Sequence, residues 1–275
     1  MTDIESAVAR HYGVPDLLGR IYTGLEAAGV DLARLSLEDL APVDEFHIGG
    51  RKATIHAVGR LSPGADDHVL DIGCGIGGAA RYLATQTGCR VTGIDLTPEF
   101  VETARRLTEK TGLGGKVAYE VASALDMPFA DGAFDGAITL HVAMNIRDRA
   151  GLYGEVARVM KRGAKFCVYD VMKRGDDAVV YPVPWAEDAD TSHLTSPDEM
   201  LVLLEAAGFE VYEVEDRTDF AREFFKQTLA AARDGPPPLG LNLLMGASAP
   251  LKLKNMLDNV ENGRIAVVQM LARRG

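Results

Sequence analysis

The sequence predicts an α/β protein in which helices cover both faces of a doubly wound, mostly parallel sheet. After a turn at residues 62–64, short apolar segments alternate with helical patterns, as repeated strand–helix–strand units require. One such unit, residues 67–78, reads DHVLDIGCGIGG, in which a buried strand runs through glycines into a helix. The chain has 275 residues, enough for one large domain of this kind with an added cap.

Seven segments have the length and composition of strands. They span residues 68–72, 90–95, 116–121, 134–141, 164–171, 209–216 and 264–272. Helical patterns between them span residues 77–87, 98–111, 148–161 and 197–207. Two of these helices have clear start signals, because Thr97 and Ser196 each precede a proline at the first helical position.

The chain divides into a helical cap, residues 1–60, and a sheet domain, residues 61–275. Two insertions interrupt the sheet domain. The first, at 172–195, contains Tyr181 and Trp185, and the second, at 217–263, has helical patterns broken by Pro236, Pro237 and Pro238. We expect the second insertion to form a lid, and both to supply apolar walls for a substrate chamber.

Composition excludes several classes of function. A net charge of −11 with scattered lysines and arginines argues against a nucleic-acid surface. The three cysteines, Cys74, Cys89 and Cys167, have no metal-site spacing and predict a reduced, cytoplasmic protein without zinc or disulfides. The chain shows no signal-peptide pattern and no apolar run near the roughly 18 residues of a membrane helix. The oligomeric state stays open, homo-oligomers included.

Polar residues follow the ends of three predicted strands, where ligands bind in open α/β sheets. Asp71 lies two residues before Gly73, Asp95 ends the second strand, and residues 123–129 follow the third. An acid placed like Asp95 suits the hydroxyl groups of a ribose. The spacing of Gly73, Gly75 and Gly78 also satisfies the dinucleotide fingerprint, so the glycines alone do not identify the ligand.

The carboxylate of Asp71 separates the two classes of ligand. A pyrophosphate brings negative charge to the glycines, where a helix N-terminus stabilises it, but a carboxylate two residues earlier repels it. S-adenosylmethionine instead brings a sulfonium and an α-ammonium group, which an acid complements. The sequence therefore favours a methyl donor over a dinucleotide.

The motifs as a set resemble those of class I S-adenosylmethionine-dependent methyltransferases. The resemblance rests on VLDIGCGIGG, VTGIDL, SALDMPFADGAFDGAITLH and VARVMKRGAKFCVYDV, and it covers about residues 45–216 and the final strand. Within that class, DEFHIGGRKATIHAVGRL followed by GCGIGGAARYLA resembles the small-molecule group with glycine/sarcosine-type N-methyltransferases and ubiquinone-biosynthesis-type C-methyltransferases. The resemblance implies a Rossmann-like sheet of seven strands, the last of them antiparallel.

The resemblance also implies how the donor is held. The turn from Asp71 to Gly77 would hold its methionine end, and Leu96 would pack on the adenine. Many relatives have Gly-Asp-Ala at the adenine edge, where the acid accepts from the amino group; this chain has Ala122-Ser123-Ala124, so Ser123 takes that place. The residues expected to contact the donor are Asp71, Gly73, Cys74, Gly75, Gly77, Asp95, Leu96, Ser123, Ala124, Leu140 and His47.

His141 and Asn145 are the candidates for the chemistry. His141 ends the fourth strand, where a histidine can act as a general base, although lining the pocket explains it equally well. Asn145 either orients the substrate or caps a turn. His47, in a polar segment before two glycines, either closes over the donor or lies in an exposed loop. The expected substrate contacts are Met144, Tyr181 and Trp185, although each of them could equally belong to the hydrophobic core.

Together these inferences predict an enzyme that methylates a small molecule with S-adenosylmethionine and releases S-adenosylhomocysteine. A nitrogen or oxygen acceptor is favoured over carbon, on the ground of His141. Two alternatives remain, an NAD-dependent oxidoreductase and a non-catalytic protein that binds S-adenosylmethionine. The aromatic residues of the two insertions argue against the non-catalytic protein. We expect no metal, no nucleic-acid partner and no membrane insertion.

Overall fold

The computed structural model describes residues 3–232, 235 and 237–275, with side chains from residue 5 onward. Pro236 and the first two residues of the cap therefore lie outside the described residues. The rest of the cap is helical, as the sequence predicts. Its helices are α1 (Asp3–Tyr12), α2 (Leu17–Ala27), α3 (Leu37–Asp44) and α4 (Gly50–Leu61).

The seven predicted strands form one sheet. They are β1 (His68–Ile72), β2 (Arg90–Asp95), β3 (Val117–Val121), β4 (Phe134–Leu140), β5 (Met160–Lys173), β6 (Phe209–Asp216) and β7 (Ile265–Arg274). Their order is β3-β2-β1-β4-β5-β7-β6, and β7 runs antiparallel to both of its neighbours, which confirms the predicted topology. β5 begins four residues before the predicted strand because Met160 already pairs with Phe134.

Helices cover both faces of the sheet. They are α5 (Gly78–Thr87), α6 (Pro98–Lys110), α7 (Arg149–Val159) and α8 (Pro197–Ala206). Ser196 caps α8 through a reciprocal pair of hydrogen bonds with Glu199, as its sequence signal predicts. Thr97 is the N-cap of α6 and Pro98 its first residue, as their sequence signal predicts. The Thr97 side chain makes no capping hydrogen bond, and its backbone N–H donates to the carboxylate of Asp95 (2.9 Å).

The insertion at 217–263 contains α9 (Thr218–Ala231), α10 (Asn242–Met245) and α11 (Ala249–Glu261), which we call the lid. The first insertion begins after Lys173, two residues later than predicted, and its regular structure is limited to a 3₁₀ turn at Ala189–Thr191. Within the described ranges, no helix is both long and apolar enough to cross a membrane.

Candidate functional site

A cavity of about 450 Å³ opens at the carboxyl ends of β1, β2 and β4, where the strand order reverses. Side chains from α1, from the link between α3 and α4, and from the lid complete its walls. It brings together most of the residues that the sequence singles out: His47, Asp71, Gly73, Cys74, Gly75, Asp95, Leu96, Ser123, Ala124, Leu140, His141, Met144, Asn145 and Trp185. Gly77 and Tyr181 do not belong to this lining.

The turn between β1 and α5, residues 73–77, requires glycine at two positions, and we call it the glycine turn. Gly73 has a φ of 70°, and a Cβ there would lie 2.3 Å from Val142. Gly77 has a φ of 85° and precedes α5, where a Cβ would lie 2.3 Å from the hydroxyl of Tyr119. The N–H of Gly73 donates to the carbonyl of Ile94 (2.8 Å), which ties the turn to β2. Bare backbone therefore faces the cavity at the N-terminus of α5.

A buried ion pair joins the cap to this turn. Arg81 donates from Nη2 to Oδ1 of Asp44 (2.6 Å), and both side chains are fully buried. A Cβ on Gly78 would lie 2.6 Å from the carbonyl oxygen of Asp44, so glycine allows α3 to end directly against α5. Burial raises the pKa of Asp44 to about 6, and Arg81 opposes that rise. The cap is thereby held over the glycine turn.

Asp71 lies near the end of β1 with only 2% of its surface exposed. No donor among the described residues reaches its Oδ2 atom. Burial, assisted by the carboxylates of Asp95 and Glu45, raises the pKa of Asp71 to about 7, and a hydrogen bond from the backbone of Ala80 opposes the rise. A buried carboxylate oxygen without a partner costs free energy of folding. Its environment suits a cationic group that a ligand brings.

The carboxylate of Asp95 organises the glycine turn from β2. Its Oδ2 accepts from the N–H of Gly75 (3.0 Å), and its Oδ1 accepts from the N–H of Thr97 (2.9 Å). Each carboxylate oxygen has a second lone pair, so Asp95 can also accept from hydroxyl groups in the cavity. Burial raises the pKa of Asp95, and these two backbone hydrogen bonds oppose the rise.

Ser123 meets an acid from α1 beyond the end of β3. Its hydroxyl donates to a carboxylate oxygen of Glu5 and accepts from the N–H of Leu125 (3.0 Å). Glu5 is 9% exposed and lines the cavity. Sequence reasoning missed Glu5, although Glu5, Val8 and Tyr12 recur at helical spacing and all line the cavity. An acid on the same helix face as Val8 and Tyr12 was the sequence signal that could have identified Glu5.

His141 has both ring nitrogens in hydrogen bonds with the backbone. Its Nδ1 donates to the carbonyl of Tyr169 (3.1 Å), and its Nε2 accepts from the N–H of Ile48 (3.4 Å). Burial lowers the pKa of His141 to about 3, and the neighbouring His47 adds to that effect. The ring is therefore neutral at physiological pH, and its one lone pair is directed at a backbone N–H.

His47 is buried rather than exposed in a loop. The Thr54 hydroxyl donates to Oε2 of Glu45 (2.5 Å), so it accepts from Nε2 of His47 (3.0 Å). Arg51 donates from Nε to Oε1 of the same glutamate (2.5 Å). Burial lowers the pKa of His47 to about 4. A neutral ring, positioned by this network, therefore lines the cavity.

Asn145 connects the cap to the first insertion. Its Oδ1 accepts from the hydroxyl of Tyr12 (2.9 Å), and its Nδ2 donates to the carbonyls of Trp185 (3.0 Å) and Thr191 (3.2 Å). Both amide protons are thus used within the protein. This arrangement favours a positioning role over direct contact with a reacting group.

Tyr181 is half-buried and packs against the main core, not on the cavity. The preceding residue, Val180, is fixed on α11, because Asn259 bonds both its N–H (2.8 Å) and its carbonyl oxygen (2.9 Å). The lining of the cavity therefore gives no support to the expected contact between Tyr181 and the substrate. Trp185, in contrast, lines the cavity and donates from Nε1 to Ser192 (2.9 Å).

The lid contributes apolar side chains, whereas the acids of the described lining lie outside the lid. The lid residues on the cavity are Phe224, Phe225, Leu241, Leu244, Met245, Leu253 and Met256. Arg147, at the exposed rim, is the single lysine or arginine among the lining residues that the structure describes. In the same part of the chain, no group of three or more His, Cys, Asp and Glu is arranged to hold a metal ion.

Known proteins resemble this chain in both sequence and fold. A family model described as a methyltransferase domain matches residues 70–168. The O-methyltransferase resE of Aspergillus sclerotiorum is 30% identical over 222 residues, which are 80% of this chain and 83% of that protein. Methyltransferase GfsG of Streptomyces halstedii is 30% identical over 205 residues, 74% of each protein.

Among solved structures, a geranyl diphosphate C-methyltransferase from Streptomyces coelicolor A3(2) has the same fold. It is a complex with Mg²⁺, geranyl diphosphate and S-adenosyl-L-homocysteine, with a TM-score of 0.73 and 19% identity over 100% of this chain and 98% of that one. The fold is thus shared at low identity, and resE is similar over most of both sequences. The chain therefore belongs to the class I S-adenosylmethionine-dependent methyltransferases, within the group of enzymes that methylate small molecules.

Proposed function

We propose that this cavity holds S-adenosylmethionine over the glycine turn and methylates a hydroxyl group of an apolar small molecule beneath the lid. One observation carries the placement of the donor: Oδ2 of Asp71 is buried at the turn without a partner among the described residues. A sulfonium or ammonium group there would compensate the carboxylate. Asp95 would accept from the ribose hydroxyls, and Leu96 would contact the adenine.

The charges of the cavity support a cationic donor over a nicotinamide dinucleotide. Asp71 and Asp95 lie beside the turn that would receive a pyrophosphate, and Glu5 and Asp44 add two more carboxylates to the lining. Arg147 lies at the rim, too exposed to compensate phosphates at the turn. Two phosphates at the turn would be repelled by the carboxylates of Asp71 and Asp95, whereas a cationic donor is attracted to them.

The apolar lid supports an uncharged acceptor. Phe224, Phe225 and Met245 face the cavity, and an anionic group such as a phosphate would find few basic partners there. Oxygen as the acceptor atom is supported by resE, a relative named as an O-methyltransferase that aligns over 80% of this chain. The apolar walls also exclude water, which would otherwise solvate the acceptor.

The neutral histidines support an acceptor that loses its proton without a strong protein base. The bound donor supplies an electrophilic methyl group, and transfer then depends on holding the acceptor oxygen in line. A base works best with a pKa near the working pH, but the pKa values of His141 and His47 are about 3 and about 4. We therefore assign both a positioning role and expect a hydroxyl of phenolic or enolic acidity.

Calorimetry with S-adenosylhomocysteine tests the donor site directly. We expect saturable binding of this product and no measurable binding of NAD or NADH, because the carboxylates of Asp71 and Asp95 lie beside the glycine turn. Methyl transfer from S-adenosylmethionine to a panel of apolar phenols and matched anilines, read by mass spectrometry, tests the acceptor. Tight binding of NAD without S-adenosylhomocysteine would refute the donor assignment, and methylation of the anilines alone would refute the oxygen acceptor.

Replacing His141 by Asn tests its role in methyl transfer. The backbone at His141 has a φ of 57°, which asparagine tolerates, and the asparagine amide can still donate toward Tyr169. If the ring only positions, we expect kcat to fall by less than about tenfold, the cost of a weakened hydrogen bond. The pH profile of kcat between pH 6 and 9 should keep its shape.

A general base would behave differently from a positioning residue. Its loss costs about 10²- to 10⁴-fold in rate and removes an ionisation from the pH profile. That result for His141→Asn would restore the base role. His56→Asn serves as the control, since His56 contacts Glu215 (2.7 Å) and does not line the cavity.

A further inference from the structure

We propose that Glu5, on the first helix of the cap, recognises the 6-amino group of the donor's adenine; the inference rests on the proposed function. Glu5 is separated from Ser123 by 118 positions in the sequence, yet the two side chains are hydrogen-bonded. Glu5 is buried to nine-tenths and lines the same cavity as Asp71 and Asp95. A carboxylate that faces a ligand cavity can accept a hydrogen bond from a donor on that ligand.

The order of the strands indicates which part of the donor each acid meets. β1, β2 and β3 are neighbours in the sheet, so their carboxyl ends follow one another along one edge. Asp71 belongs to β1, Asp95 ends β2, and Ser123 follows β3. With the cationic end at Asp71 and the ribose at Asp95, the base extends toward Ser123. Glu5 lies at that point.

Hydrogen-bonding chemistry assigns the amino group to Glu5 rather than to Ser123. The Ser123 hydroxyl has one proton, which it donates to Glu5, and its oxygen accepts from the N–H of Leu125. An ionised carboxylate only accepts, and its two oxygens offer about four lone pairs, so one carboxylate can accept from several donors at once. An amino group satisfies that acceptor, whereas a 6-oxo purine presents another oxygen and is repelled.

Further contacts hold α1 in the position that this role requires. At its other end, the Tyr12 hydroxyl donates to Asn145 (2.9 Å), and Nε2 of His11 lies 3.0 Å from the carbonyl oxygen of Pro184. α1 thus lies across the cavity with an acid at one end and an aromatic contact at the other. Binding of adenine by Glu5 would make the cap part of the donor site.

Calorimetry with two ligands tests the proposal. S-adenosylhomocysteine is compared with S-inosylhomocysteine, in which an oxygen replaces the amino group, in the wild type, Glu5→Gln and Glu5→Ala. The wild type should prefer the adenosyl ligand by about tenfold or more, as one charge-assisted hydrogen bond implies. Glu5→Ala should lose most of that preference because its affinity for S-adenosylhomocysteine falls. Glu5→Gln should narrow it, because an amide can also donate to a 6-oxo group.

The outcomes separate this inference from the proposed function. A wild type that binds neither ligand refutes the proposed function itself. A wild type that binds S-adenosylhomocysteine, with the same affinity and preference in both Glu5 variants, overturns the role of Glu5 alone. If Glu5→Ala fails to fold, Glu5→Gln decides, since it keeps the side-chain shape and an acceptor for Ser123. Glu26→Gln, exposed on α2, is the matched control and should bind like the wild type.

Discussion

Asp71→Asn is expected to stabilise the ligand-free protein while it removes most of the affinity for S-adenosylmethionine. Folding raises the pKa of Asp71 from 3.8 to about 7, chiefly because the carboxylate is buried. Each unit of such a shift corresponds to about 1.4 kcal/mol of stability lost to the ionised form. Asparagine keeps the shape and removes the charge, but its own buried amide needs partners, so only about half of this cost should be recovered. The free energy of unfolding should rise by about 2 kcal/mol, and Tm by about 4–8 °C.

The pH dependence of this stabilisation has a defined sign. A carboxyl group whose pKa is raised on folding binds more protons in the folded state, so stability falls as pH rises from 3.8 to about 7. The gain from Asp71→Asn should therefore be absent near pH 4 and complete above pH 7. Donor affinity should show the opposite trend in the wild type, because a cationic ligand binds the ionised carboxylate. Affinity should rise as pH increases through about 7, and the variant should lack this rise.

Thermal unfolding between pH 4.5 and 8.5, paired with calorimetry, measures both effects on one set of samples. Asp66→Asn is the control, because Asp66 is exposed just before β1 and should change neither quantity. If Asp71→Asn bound the donor like the wild type, the carboxylate would have no part in holding the cation. If the variant were less stable at pH 8, the carboxylate would be paired in the native protein.

The fold was predictable because its signals are local. Apolar runs of strand length, and proline at helix starts, depend on neighbours in the chain, and all seven strands lie where those signals occur. The boundary between α7 and β5 was misplaced because the pairing of Met160 with Phe134 decides it, and that contact is not local. The start of α6 followed its local signal as well, since Thr97 directly precedes the helix and Pro98 is its first residue.

The candidate site was predictable only where single segments form it. The glycine turn and Asp95 belong to strand ends, so the topology alone brings them together. Glu5 reaches the cavity from a helix that is remote in sequence, and nothing in the motif around Ser123 indicates it. The role of His141 was equally hidden, because its pKa depends on burial and its hydrogen bonds on Tyr169 and Ile48.

Asp95→Ala is expected to weaken the binding of S-adenosylhomocysteine by about a hundredfold or more, since each charge-assisted hydrogen bond contributes about 1.5–3 kcal/mol. The variant loses the acceptor for the ribose and also releases the N–H groups of Gly75 and Thr97. Asp95→Asn should be impaired as well, because its amide NH₂ would face one of those two N–H groups. Calorimetry with S-adenosylhomocysteine and with its 2′-deoxy analogue measures how much of the lost affinity comes from the contact with the 2′-hydroxyl.

Asp135 provides the matched control for Asp95. Its carboxylate also accepts from a backbone N–H, that of His68 (3.0 Å), and pairs with Lys161 (2.6 Å), but it lies at the opposite end of the same sheet. Asp135→Ala should therefore destabilise the amino-terminal end of β4 and keep the donor affinity. If only Asp95→Ala loses affinity, the loss comes from the missing carboxylate in the cavity and not from a general loss of stability. If Asp95→Ala still discriminated against the 2′-deoxy ligand as the wild type does, the carboxylate would act through the glycine turn and not through the ribose.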